Sequence, residues 1–135
     1  LFRPGESVFL AFQENPFKYV ARSDIFILSS IFEGFPNSLV EAMALGCPVI
    51  ASDCPTGPRE ILAPGMKNCI EAKGMKEVKY GILFEPGNVQ GMLCAVRSLL
   101  DNSDMRVRYG ELARNRVEDF ETHKIVDSYI NILKT

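Results

Sequence analysis

The stretch SSIFEGFPNSLVEAMALGCPVIASDCPTGPREIL, Ser29 to Leu62, decides the fold. It reads as a strand end, a glycine-containing loop, a helix, and a second strand that runs into a Gly-Pro turn. SLVEAMALG is a short helix closed by Gly46 at its carboxyl side, and CPVIAS, Cys47 to Ser52, is the next buried strand. GPREIL makes one or two helical turns. A loop at the carboxyl end of such a strand presents free backbone N–H groups at a helix N-terminus, where a phosphate is bound. Ligands of open α/β sheets bind at this edge. Two carboxylates, Glu33 and Glu41, bracket the loop and the start of the helix, with seven residues between them.

Upstream, VFLAF (Val8 to Phe12) is a β-type run, and Asn15 and Pro16 open a helix, PFKYVARS. DIFILSS is a nearly continuous apolar strand suited to burial on both faces. Downstream, Pro64 to Tyr80, with Gly65, Gly74 and lysines at 67, 73, 76 and 79, reads as an exposed excursion. Tyr80 to Phe84 is a last short strand, and Asn88 caps a helix with Val89, Met92, Leu93, Val96, Leu99 and Leu100 on one face. A second helix, from about Asp104 to Glu118, carries Met105, Tyr109, Leu112, Ala113 and Val117. Thr122 caps a third, striped by Ile125, Val126, Tyr129, Ile130 and Leu133. Alternating strands and helices imply βαβ crossovers and a parallel sheet with helices on both faces, a Rossmann-like α/β fold. Three or four short strands under five or six helices is an unbalanced ratio. With the abrupt start at Leu1, it implies a domain lacking its first strands.

Residues 1–135 make a single domain, large enough to bury a core unaided. The net charge of −2 gives no basic field for nucleic acid. The longest apolar runs are too short to cross a bilayer. Cys47, Cys54, Cys69 and Cys94 form no C-x-x-C pair, and with His123 as the sole histidine no zinc site is expected. Reduced thiols in a cytoplasmic protein follow. His123, beside the Thr122 cap, is expected on the surface, as is a pair between Arg59 and Glu60.

EGFPNSLVE (Glu33 to Glu41), followed by AMALGCPVIASDCPTGPREI, resembles the nucleotide-sugar-binding region of glycosyltransferase family 4, retaining enzymes of GT-B architecture. FQENPFKYVARSDIFILSS before it and YGILFEPGN with a capped helix after it are similar to the family in order and spacing. The resemblance runs from about Val8 to Leu133. The GPREI ending is similar to bacterial members that build surface glycans. The chain is then the truncated C-terminal, donor-binding half of a GT-B enzyme. Such an enzyme moves a sugar from a nucleotide diphosphate sugar, here expected to be a UDP-sugar, to a glycan or lipid-linked acceptor held by an N-terminal domain.

By this resemblance, Glu33 is the catalytic-site carboxylate and hydrogen-bonds hydroxyls of the donor sugar. The backbone around Gly34, Phe35, Pro36, Asn37 and Ser38 faces the sugar and diphosphate. Leu39 lies near the diphosphate and ribose, and Glu41 accepts from the ribose hydroxyls. Ionised carboxylates are acceptors suited to such diols. Ser38-x-x-Glu41 is also a capping box, in which Glu41 reaches back to the cap N–H instead. The family's Arg and Lys, which neutralise the leaving diphosphate, have no counterpart beyond Arg3. The fragment alone is therefore expected to be inactive. No D-x-D occurs, so neither a metal nor any other cofactor is expected. The location implied is cytoplasmic, including peripheral association of the parent with the cytoplasmic face of the membrane. The alternative reading is a non-catalytic nucleotide-binding module of the same fold.

Overall fold

Two four-residue strands, Val49–Ser52 (β2) and Gly81–Phe84 (β4), are buried at every position and form the middle of the sheet. The computed structural model describes residues 7–66, 74–121 and 123–125. Its sheet has the order β1-β2-β4-β3, with β1 at Phe26–Leu28 and β3 at Met75–Val78. β1, β2 and β4 run parallel, in the registers Ile27 to Ile50 and Ala51 to Leu83. The side-chain alternation of strands splits the apolar residues between two faces. Val49, Ala51 and Leu83 join one core with Leu39, Met43, Ile61 and Leu62, whereas Ile50, Ile82 and Phe84 join another with Ala95, Leu99 and Tyr109.

Helices cover both faces as expected. α1 (Phe17–Val20) precedes β1, and α2 (Asn37–Ala44) and α3 (Pro58–Leu62) supply the first core. α4 (Val89–Leu100) supplies the second, and α5 (Ser103–Val117) reaches both through Ala113 and Tyr109. Gly46 ends α2 at φ 74°, with its N–H on the Met43 carbonyl and that of Cys47 on the Ala42 carbonyl, the Schellman pattern. Asn88 and Asn102 cap α4 and α5 by accepting from Gly91 and Met105 at 2.9 Å. Three arginines of α5 close three of the other helices. Arg106 donates to the Leu99 and Leu100 carbonyls at the end of α4, Arg114 to Leu45 at the end of α2, and Arg116 to Glu60 and Ile61 in α3. Each meets the negative end of a helix, where a cation is favoured.

Three expectations are corrected. Val8 to Phe12 is not a strand; Phe9 is 96% exposed, and the run pairs with no other strand among the described residues. β-propensity is realised only against a neighbour. The excursion from Pro64 to Tyr80 ends in β3, which pairs antiparallel with β4 through a tight turn at Lys79 and Tyr80. Arg59 pairs with Asp53 rather than Glu60, because Asp53 is buried at the end of β2 within reach of the guanidinium and Glu60 faces solvent. Lys67, Lys73, Cys69, Thr122 and the final helix beyond residue 125 lie outside the described residues. Cys47, Cys54 and Cys94 are free thiols. His123 is on the surface, 3.5 Å from the Glu121 carboxylate.

Candidate functional site

The loops after β1 and β2 leave the sheet at the same edge and are tied together there. Ser52 Oγ donates to the Ser30 carbonyl, and Thr56 Oγ1 donates to the Glu33 carbonyl. Gly57 sits at φ 88°, and a Cβ there would lie 2.5 Å from the Gly34 carbonyl oxygen and 2.7 Å from Pro36 Cδ. Only glycine allows this backbone and this approach together. The second loop is held by Asp53 and Arg59: the guanidinium reaches both carboxylate oxygens, at 2.7 and 2.5 Å. The Asp53 N–H also donates to the Phe84 carbonyl at 2.8 Å. Sequence reading missed this pair, since nothing in the spacing of Asp53 and Arg59 separates it from a surface contact.

On this frame Glu33 is half-buried, and its Oε1 accepts from Ser30 Oγ at 2.6 Å. Gly34 is exposed, and a Cβ on it would meet nothing within 4 Å, so the backbone there is open to a ligand. Phe35 is half-exposed with its ring edge-to-face on Phe120, centroids 5.6 Å apart. The Phe120 ring in turn lies under the Arg116 guanidinium. Pro36 and Leu39 are buried; Leu39 belongs to the core, and its N–H is bonded to the Pro36 carbonyl at 3.0 Å. Those two residues offer a ligand no side chain.

Asn37 and Ser38 are the first two residues of α2 and are exposed, and among the described residues their N–H groups meet no backbone acceptor. The capping box is absent. The helix starts at Asn37 after Pro36, with no side-chain cap, so Ser38 and Glu41 stand two positions too deep to close the box. Glu41 is exposed in the second turn, on the same face as Asn37, while Ala42 and Met43 face the core. Glu33, the open backbone at Gly34, the two N–H groups and Glu41 thus follow one another along one rim. The rim can accept hydroxyl protons at both ends and an anion between them.

A cavity of about 190 Å³ opens at the carboxyl ends of β1 and β4, lined by Ser29, Phe84, Gly87, Asn88, Val89 and Met92. A larger one, about 440 Å³, is lined by Glu77, Asn102, Asp104, Met105 and Arg108 between β3 and α5, with no residue of the loops. Size alone would favour the larger one, but the helix N-terminus and the paired carboxylates belong to the rim. Burial and the nearby Asp24 push the Cys47 thiol up to about 11, at the opposite, amino end of β2. That keeps it a neutral packing group. Among the described residues no three His, Cys, Asp or Glu side chains converge as metal ligands, and no helix is long and apolar enough to cross a membrane.

Residues 4–116 match the family model described as "Glycosyl transferases group 1". An uncharacterized glycosyltransferase of Methanocaldococcus jannaschii is 35% identical over 136 residues, covering 89% of this chain and 33% of the relative. The N-acetylgalactosamine-N,N'-diacetylbacillosaminyl-diphospho-undecaprenol 4-alpha-N-acetylgalactosaminyltransferase of Campylobacter jejuni is 30% identical over 124 residues, covering 92% of this chain and 30% of that protein. Among solved structures, a TarM variant of S. aureus in complex with Fondaparinux, alpha-GlcNAc-glycerol and UDP superposes with a TM-score of 0.69 at 26% identity, covering 89% of this chain and 22% of that one. The chain therefore spans about a third or less of the length of these proteins.

Proposed function

The chain belongs to the group 1 glycosyl transferases, a family of GT-B architecture, and on that premise we propose that it is the donor-binding domain of a retaining glycosyltransferase. The substrate is a nucleotide diphosphate sugar, with UDP as the nucleotide. The acceptor, a glycan or a lipid-linked saccharide, is held by the rest of the protein at the cytoplasmic face of the membrane. The observation that carries this reading is the rim itself. Glu33 and Glu41 flank an open glycine backbone and two unbonded N–H groups at the start of an eight-residue helix.

Each part has one task. Glu33 accepts from donor-sugar hydroxyls near the reacting carbon, and Gly34 lets the sugar approach. The N–H groups of Asn37 and Ser38 and the helix end meet the diphosphate, each helix end contributing about 0.3–2 kcal/mol for an anion. Glu41 accepts from the ribose diol. Charge that develops on the departing diphosphate meets dipoles already in place, so little reorganisation opposes its departure. UDP bound to a TarM variant of the same fold supports the choice of nucleotide. The N-acetylgalactosaminyltransferase named for a diphospho-undecaprenol substrate supports a lipid-linked acceptor.

Glu41 gives the direct test of binding. Glu41→Ala should weaken UDP, titrated by calorimetry, by about tenfold or more, since hydrogen bonds to a charged group are worth roughly 1.5–3 kcal/mol. Its melting temperature should stay within about 2 °C of the parent's, because an exposed side chain with no cap bond contributes little. Unchanged UDP affinity would remove Glu41 from the site. The transfer reaction is also metal-independent in this reading, since helix N–H groups take the place of an ion. Activity of the whole protein should persist in excess EDTA; loss restored by manganese would require a different site.

A further inference from the structure

Glu33 is held at two points, and the second has no counterpart among the residues assigned so far. Ser30 Oγ holds its carboxylate at 2.6 Å, and Thr56 Oγ1 holds its carbonyl. Thr56 is exposed, so its hydroxyl does not serve core packing. Its neighbours are fixed independently of Glu33, by the Asp53–Arg59 ion pair on one side and by the seat of Gly57 against Gly34 and Pro36 on the other. Ser52, on a strand buried at every position, anchors the Ser30 carbonyl in the same way. The contacts run from β2 through both loops to one carboxylate. A side chain with three rotatable bonds keeps a single direction only when backbone and head group are both restrained.

We propose that Thr56 is a positioning residue for Glu33: its hydroxyl fixes the Glu33 carbonyl while Ser30 fixes the carboxylate, so the loop after β2 sets how Glu33 meets the donor sugar. This rests on the donor-contact reading of Glu33 given above. The test compares Thr56→Val, which keeps the shape and removes the donor, with Thr56→Ser, which keeps the donor. In this chain without substrate, backbone order parameters from NMR relaxation at residues 31–35 should fall toward about 0.6 in Thr56→Val and stay near the parent values in Thr56→Ser. In the whole protein, Thr56→Val should lower kcat for sugar transfer about five- to tenfold, the loss of one hydrogen bond. The KM for donor and the affinity for free UDP should stay within about twofold, and Thr56→Ser should restore the rate. Combined with Glu33→Gln, Thr56→Val should add nothing further, because both act on one group. Unchanged order parameters, or a rate loss that adds fully to that of Glu33→Gln, overturns the proposal. Lowered order parameters with a fully active Glu33→Gln would instead leave the anchor in place and overturn the donor reading of Glu33.

Discussion

Glu33→Gln in the whole protein is expected to slow sugar transfer by about 10- to 100-fold while leaving the fold and UDP binding intact. The substitution keeps the size of the side chain, and its amide oxygen can still accept from Ser30 Oγ, which now lies 2.6 Å from Oε1. The loop therefore has no reason to move. What is lost is the charge and one acceptor. Hydrogen bonds to an ionised group contribute roughly 1.5–3 kcal/mol, and each 1.4 kcal/mol lost from the transition state is about a factor of ten in rate. UDP carries no transferred sugar and should bind within about twofold of the parent affinity. The melting temperature should shift by no more than about 2 °C, since Glu33 lies in a half-exposed loop outside both cores. Steady-state rates with saturating donor, read beside a UDP titration, check the claim. A variant that transfers sugar at the parent rate would take Glu33 out of the reaction. Absence of transfer by the parent protein itself would favour the alternative of a nucleotide-binding module without chemistry.

The elements legible in the sequence are those whose signal is local. Cys47–Ser52 and Tyr80–Phe84 are short apolar runs between Gly and Pro punctuation, and both became buried parallel strands. Gly46 and Asn88 announced a helix end and a helix start, and each makes the backbone contacts expected of it. What could not be read depends on partners distant in the chain. Met75–Val78, with Lys76 and Glu77 in its middle, has no strand signature and exists because β4 offers it a hairpin partner. Val8 to Phe12 has the signature without the partner. The capping box failed by register, because α2 starts directly after Pro36 and so carries Ser38 and Glu41 past the positions where such a box closes. Arg106, Arg114 and Arg116 lie outside the apolar stripe of α5, and they reach the ends of three other helices. The second loop, whose Thr56 and Gly57 contact Glu33, Gly34 and Pro36, was not legible in the sequence.

That second loop carries the largest expected effect on stability. Arg59→Ala should destabilise the domain by about 2–3 kcal/mol. Its partner, the Asp53 side chain, is 1% exposed, so removal of the guanidinium leaves a carboxylate shut away from water with its bidentate partner gone. Breaking a fully buried pair in this way costs roughly 3–5 kcal/mol. The lower figure applies here because Arg59 is 36% exposed and water can enter where its head group stood. For a domain of this length the loss corresponds to a fall in melting temperature of roughly 6–15 °C. Replacing both members, Asp53→Leu with Arg59→Met, should recover most of it, since no charge is then left buried and the volume is kept. The contrast separates a penalty for an orphaned charge from a simple loss of packing. The pair also holds the loop that carries Thr56 and Gly57 against Glu33 and Gly34. The double variant, though stable, replaces a directional two-point contact with a non-directional one. It should therefore keep its melting temperature and still transfer sugar several-fold more slowly than the parent. If Arg59→Ala melts within about 2 °C of the parent, water already satisfies Asp53 and the pair does not hold the loop. If the double variant recovers stability and full activity together, the loop needs only volume at these positions and not the ion pair.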